Sequence, residues 1–165
     1  MPPPPCDIRP ATRGDVPLVL DLIGELAEYE RLRHEVVLDA ELLERHLFGE
    51  RPAAEVVLAE VGGETVGYAL FFSTFSTFLG RPGIWLEDLF VRPAQRGAGV
   101  GRALLAHLAG LAVARDCGRL EWSALDWNEP ALAFYRRLGA RCMPEWHLHR
   151  LDGQALAAVA ARSGD

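Results

Sequence analysis

Leu86-Glu87-Asp88-Leu89-Phe90-Val91-Arg92-Pro93-Ala94-Gln95-Arg96-Gly97-Ala98-Gly99-Val100-Gly101-Arg102-Ala103-Leu104-Leu105 is the stretch on which the fold turns. Its first part closes a strand of large apolar side chains over Ile84 to Val91. A loop follows, and then an unbroken helix of Ala and Leu over Arg102 to Asp116, closed by Gly118. Arg119 to Leu125 reads as the next strand, so the whole is a strand–loop–helix–strand unit. Gly97, Gly99 and Gly101 alternate between the strand and the helix N-terminus. Bare backbone there lets a phosphate-bearing ligand lie close, with successive N–H groups and the helix dipole turned toward it. The spacing is G-x-G-x-G with Arg at 102, and no βαβ unit with a ribose-binding acid opens the chain, so a dinucleotide fold is excluded. A plain connection needs one or two glycines; three, flanked by Arg96 and Arg102, favour an anion.

Outward from this unit the periodicities are regular. Cys6 to Thr12 is a short strand ending in a turn. Val16, Val19, Leu20, Leu22, Ile23 and Leu26 recur at helical spacing from Asp15 to about Tyr29, with Pro17 in the first turn. Asp39 caps a second helix that runs to Gly49. Ala54–Val61 and Thr65–Phe75 are strands joined at Gly62-Gly63, and Gly80 to Gly83 is a further turn. Downstream, Asn128 caps a helix with Pro130 in its first turn, ending at Gly139. Ala140–Met143 and Trp146–Leu151 read as short strands before a small alanine-rich helix. The sum is a mixed α/β (α+β) domain with mostly antiparallel early strands.

Composition narrows the function. The chain has 165 residues, half of them hydrophobic, and a net charge of −6. That balance excludes the basic face of a nucleic-acid binder. All 17 bases are arginine; without lysine, a Walker A loop, a Schiff base or a lysine general base is impossible. Cys6, Cys117 and Cys142 form no CxxC, so neither a disulfide framework nor a thiolate zinc site is expected, and a reducing cytoplasm is the natural compartment. Residues 1–6 read as an extended proline-rich lead-in without signal-peptide character, and no run is long enough to span a membrane.

Three further clusters could carry chemistry. Glu87-Asp88 stands inside an apolar strand, where alternation turns adjacent residues to opposite sides, so at least one acid faces where an apolar residue belongs. It needs an arginine partner, or it attracts an amine and relays its proton; both readings stand. Tyr135 is either a half-buried aromatic or a phenol placed to protonate a leaving group, and capping suffices to explain Asn128. Tyr29-Glu30 at a helix end and Glu145-Trp146 at a strand start read more plainly as solvated corners. The five histidines show no HExxH pattern, and His147 with His149 lacks a third ligand, so no metal is expected. A G-x-S-x-G nucleophile elbow is absent.

Arg96-Gly97-Ala98-Gly99-Val100-Gly101 resembles the R-x-x-G-x-G signature of the GNAT N-acetyltransferases. Ile8-Arg9-Pro10-Ala11-Thr12, Glu25 to Glu30, Leu86 to Val91 and Trp127 to Tyr135 extend the likeness to the diamine (spermidine/spermine) or thialysine N-acetyltransferases, over roughly residues 7 to 152. The resemblance implies a single GNAT domain over 7–152 with a C-terminal tail at 153–165, and a mixed sheet splayed around acetyl-CoA with helices on both faces. It implies that Leu89, Phe90 and Val91 pair with pantetheine through their backbone. Arg96 and the amides of Gly97, Ala98, Gly99, Val100, Gly101 and Arg102 would hold the pyrophosphate, and Asn128 and Ala131 would line the other side. Tyr135 matches the general acid toward the departing thiolate, and Glu87 the acid that relays the amine's proton through water. Tyr29, Glu30, Glu87 and Asp88 would meet a small cationic amine, with Glu145 near the last acidic contact, where the preceding segment is shorter here. A homodimer is implied. The rival acceptors are an amino acid, an aminoglycoside or a protein N-terminus, and the rival class is an idle acyl-CoA-binding module; retention of Tyr135, Glu87 and the loop together speaks against the latter.

Overall fold

The structure, a computed structural model, describes residues 6–162, so most of the expected proline-rich lead-in lies outside the described residues. The chain divides into two compact units, one ending at Ser123 and the other beginning at Ala124.

The first unit is built on a five-stranded sheet in the order β1-β2-β3-β4-β5: β1 (Cys6–Pro10), β2 (Glu55–Val61), β3 (Glu64–Ser76), β4 (Arg81–Val91) and β5 (Leu120–Trp122). The first three pairings are antiparallel and β4–β5 is parallel, which requires a crossover helix. That helix is α3 (Val100–Ala114); α1 (Val16–Tyr29) and α2 (Ala40–Phe48) precede β2. On one sheet face Val56, Leu58, Tyr68 and Phe90 pack with Val19, Leu22 and Leu26 of α1 and Leu43 and Leu47 of α2. The alternate residues Val57, Ala59, Ala69, Phe71, Ile84 and Leu86 are buried on the opposite face, the side of α3 with its buried Leu104, Leu105 and Leu108. The mixed sheet with helices on both faces agrees with the sequence expectation.

Local chemistry explains the boundaries. Asp39 accepts a 2.8 Å hydrogen bond from the Leu42 amide, capping α2 as expected. Gly62 and Gly63, with φ of +61° and +83°, make the tight β2–β3 hairpin. The β4 strand begins three residues earlier than the glycines suggested: Gly80 (φ +62°) completes the turn, and Pro82 sits inside the strand, its carbonyl accepting from the Gly118 amide. The α3 helix likewise starts at Val100, not Arg102, because Gly99 (φ +90°) already serves as its N-cap.

A bulge decides what β4 presents. Leu70 pairs with Asp88 but Phe71 pairs with Leu86, leaving Glu87 as the extra residue. Leu86 therefore faces α3 with Phe71, whereas Asp88 and Phe90 pair with Leu70 and Tyr68 on the α1 side. Strict alternation, which would have put the adjacent acids on opposite faces, does not hold here. The β5 strand accompanies β4 only over Ile84–Leu86, and so it stops at Trp122 instead of continuing to Leu125.

The second unit holds α4 (Glu129–Arg137) and α5 (Gly153–Ala161). Pro130 sits in the first turn of α4, but the Asn128 side chain makes no capping hydrogen bond. The strands expected at 140–143 and 146–151 are absent: among the described residues no strand lies beyond Trp122, so these short apolar runs have no ladder within their own unit.

Candidate functional site

Two of the three expected loop glycines lie before α3, and Gly101 already belongs to its first turn. Gly97 (φ +81°) and Gly99 (φ +90°) adopt left-handed conformations that other residues avoid, and a Cβ at either would meet no atom within 4 Å. The first helical bond of α3 runs from the Ala103 amide to the Gly99 carbonyl, so the amides of Val100, Gly101 and Arg102 precede the ladder. No acid occupies that first turn. Bare loop backbone, donors at the positive end of a 15-residue helix and an exposed Arg102 fit a phosphate-bearing ligand. Val100 itself is buried and anchors the turn, so only its backbone belongs to the loop surface.

Arg96 has a different post. Its Nε donates to the Val91 carbonyl at 2.9 Å, and its guanidinium lies 4.5 Å from the Tyr29 ring centroid and 5.7 Å from that of Phe90. The same residue thus ties the loop to the end of β4 and to the end of α1. Along β4 beyond Leu86, where β5 no longer follows, Leu89, Phe90 and Val91 leave one strand edge without a neighbouring strand in this unit. The Phe90 side chain is in the core, so what it can offer at that edge is backbone.

The acids gather where α1 ends. The chain leaves the helix through Arg31 at φ +62°, a conformation that costs a non-glycine residue energy and fixes Tyr29 and Glu30 at the turn. Glu30 is partly buried, and burial pushes its carboxyl up. The hydroxyl of Tyr68, a residue with no exposed surface, donates to Asp88 Oδ2 at 2.9 Å. Burial pushes the Asp88 carboxyl up to about 6, the Tyr68 hydrogen bond opposes that shift, and the charges of Glu87 and Glu30 add to it. Burial and the Asp88 charge push the Tyr68 phenol far up, so it stays a donor. Glu87 is exposed and accepts from Trp85 Nε1 at 2.9 Å. Among the described residues, none of Glu30, Glu87 and Asp88 forms an ion pair with an arginine or histidine. The arginine-partner reading of the acid pair is thereby set aside.

Of the residues marked in the sequence, Tyr29, Glu30, Glu87, Asp88, Phe90 and Arg96 come together in the first unit. Asn128, Ala131 and Tyr135 belong to the second, at the start and last turn of α4, where the Tyr135 ring lies 5.4 Å from that of Phe134. Glu145 occupies a turn at 144–145, not a strand. Sequence reasoning missed Tyr68 and Trp85. A tyrosine inside the apolar run Val66-Gly67-Tyr68-Ala69-Leu70 was the available signal, since a buried phenol needs a polar partner.

No group of three His, Cys, Asp or Glu among the described residues is placed to hold a metal, and no helix is long and apolar enough to cross a membrane.

Comparison with known proteins converges on one family. The model of the acetyltransferase (GNAT) family matches residues 20–140. The chain is 38% identical to a thialysine N-epsilon-acetyltransferase of Bos taurus, over 94% of this chain and 97% of that protein. It is 32% identical to an L-ornithine N5-acetyltransferase of Arabidopsis thaliana, over 92% and 86% respectively. Among solved structures, an integron cassette protein from the mobile metagenome of V. cholerae aligns with a TM-score of 0.78 at 28% identity, over 94% of this chain and 97% of that one. With a splayed β4, a glycine loop opening α3 and relatives aligned over nearly their whole length, the chain belongs to the GNAT family and is an N-acetyltransferase.

Proposed function

We propose that the enzyme moves the acetyl group of acetyl-CoA to a primary amine of a small cationic acceptor, a polyamine or a thialysine-like amine, by direct attack. The observation that carries this reading is the set of three carboxyls, Glu30, Glu87 and Asp88, none of which forms an ion pair with an arginine among the described residues. Such a cluster is costly unless a cation joins it, and an alkylammonium is such a cation. Several relatives are named for acetylating thialysine, which supports the class of acceptor.

In this reading the amides of Gly97 to Arg102 hold the pyrophosphate, and the backbone of Leu89 to Val91 pairs with pantetheine. Asn128 and Ala131 line the cofactor's other side. Tyr29, Glu30, Glu87 and Asp88 receive the acceptor, with Glu145 as a further acidic contact. An alkylammonium is mostly protonated at pH 7 and must lose a proton before its nitrogen can attack. The neutral amine then attacks the thioester carbonyl, whose oxygen a backbone N–H polarises. The C–N bond forms, the C–S bond breaks, and Tyr135 protonates the sulfur. Residues 7–152 form the catalytic domain, and the enzyme works in the cytoplasm as a homodimer; light scattering giving twice the 18.1 kDa chain mass tests the last point.

Thiol release from acetyl-CoA, measured against spermidine, spermine, putrescine, thialysine, lysine and a peptide N-terminus, tests the acceptor. Turnover on a polyamine or thialysine is the expected result. Activity confined to the peptide would overturn the acceptor class while leaving the family intact.

A further inference from the structure

We propose that Asp88, oriented by the buried hydroxyl of Tyr68, is the carboxylate that receives the acceptor's proton, and that Tyr68 is its positioning residue. This rests on the amine-acetylating reading above and sharpens it, because the resemblance pointed to Glu87 for that task.

Geometry separates the two acids. The bulge turns Asp88 onto the α1 side of the sheet, beside Tyr68 and near Glu30, and its Oδ2 is fixed by the Tyr68 hydroxyl at 2.9 Å. Among the described residues only its Oδ2 has a hydrogen-bond partner, which leaves the lone pairs of the other oxygen for a ligand. Glu87, as the extra residue of the bulge, is exposed and tethered to Trp85. An exposed carboxylate tethered in this way attracts a cation by its charge. Among the described residues, the titratable groups that act on Asp88 are Tyr68 from β3, Glu30 from the end of α1 and Glu87 from β4 itself, and none of these is cationic. Burial and the two neighbouring carboxylates bring Asp88 to about 6, closer to the operating pH, where a general base is most effective. The Tyr68 hydrogen bond favours the charged form and so keeps the group ionised at neutral pH.

The step balances simply. The ammonium gives one proton to the Asp88 carboxylate, leaving a neutral amine and a carboxylic acid. The amine attacks the thioester, its second proton passes to solvent as the C–N bond forms, the thiolate takes a proton from Tyr135, the Tyr135 phenolate regains one from solvent, and Asp88 returns its own to water. The net release is one proton per acetyl transferred.

The test is the pH profile of kcat/KM for the best acceptor in wild type, Asp88→Asn, Tyr68→Phe and Glu87→Gln, with thermal melts and acetyl-CoA affinity as folding controls. The wild type should lose activity as pH falls through about 6. Asp88→Asn should lower kcat by about 10²-fold or more. Tyr68→Phe should move the acidic limb upward, which a merely structural role would not do. Glu87→Gln should raise KM and leave the limb in place. A folded Asp88→Asn enzyme with kcat close to wild type, or a limb that follows Glu87→Gln and ignores Tyr68→Phe, would overturn the assignment of Asp88 alone. If Tyr68→Phe does not fold, Tyr68→His decides: a limb unmoved by it also overturns the positioning role. A wild type that acetylates no amine in the panel would overturn the acceptor reading and this inference together.

Discussion

Gly99 enters α3 at φ +90° with nothing near the space a Cβ would fill, so replacing it by alanine tests backbone conformation alone. The left-handed conformation costs an L-residue about 1–2 kcal/mol, and the loop relieves that by shifting. Gly99→Ala is expected to weaken acetyl-CoA about tenfold by calorimetry, a penalty near 1.4 kcal/mol. An unchanged affinity would mean that the loop does not hold the phosphates. Tyr135→Phe should act on the other half of the chemistry: kcat falls by about 10²-fold while acetyl-CoA affinity stays the same. Turnover at the wild-type rate would remove Tyr135 from the mechanism. The residues that sequence alone revealed here are those with a spacing or an anomaly of type, such as the alternating glycines and the two acids in an apolar strand. Tyr68 and Trp85 escaped because their roles are partnerships across strands or along a bulged one, and pairing register is not written in composition.

At the scale of elements, the sheet's first edge is held by one guanidinium. Arg9 of β1 donates to both oxygens of Asp15, at 2.8 and 2.9 Å, and to Glu60 of β2 at 2.7 Å. It thereby locks the turn that launches α1 to two strands. That arginine and the Thr12 amide hold the Asp15 carboxyl far below the usual carboxylate range. A depressed pKa stabilises the fold above the unfolded value, about 3.9, and that contribution fades as pH falls below it. Asp15→Asn should therefore cost about 1–3 kcal/mol in urea unfolding at pH 7. The gap should be smaller at pH 3; an equal gap at both would show that the carboxylate's charge is not what matters. Elements such as α1, α2 and the β2–β3 hairpin were legible because caps, Pro17 and paired glycines punctuate regular periods. The late strands were not, because Ala140–Met143 and Trp146–Leu151 carry strand-like composition but strand formation needs a neighbour.

For the whole molecule, a net charge of −6 and a cluster of carboxyls predict an electrostatic component in capture. The kcat/KM for a polyamine should fall as ionic strength rises from about 0.01 to 0.15 M, while that for a singly charged amine falls less. Equal salt dependence for both would argue against steering by the acids. The bulge at Glu87 has a consequence for how such a chain can vary over time. It acts as a one-residue phase shift. Deleting Glu87 would close the bulge into plain alternation and keep Asp88 and Phe90 on the α1 side, so that variant should keep its turnover and show a raised KM, and one glycine added in the exposed turn at 77–80 should leave turnover close to wild type. Length can therefore change at two places, the exposed hairpin turn and the bulge itself, without altering which side chains of β4 face α1.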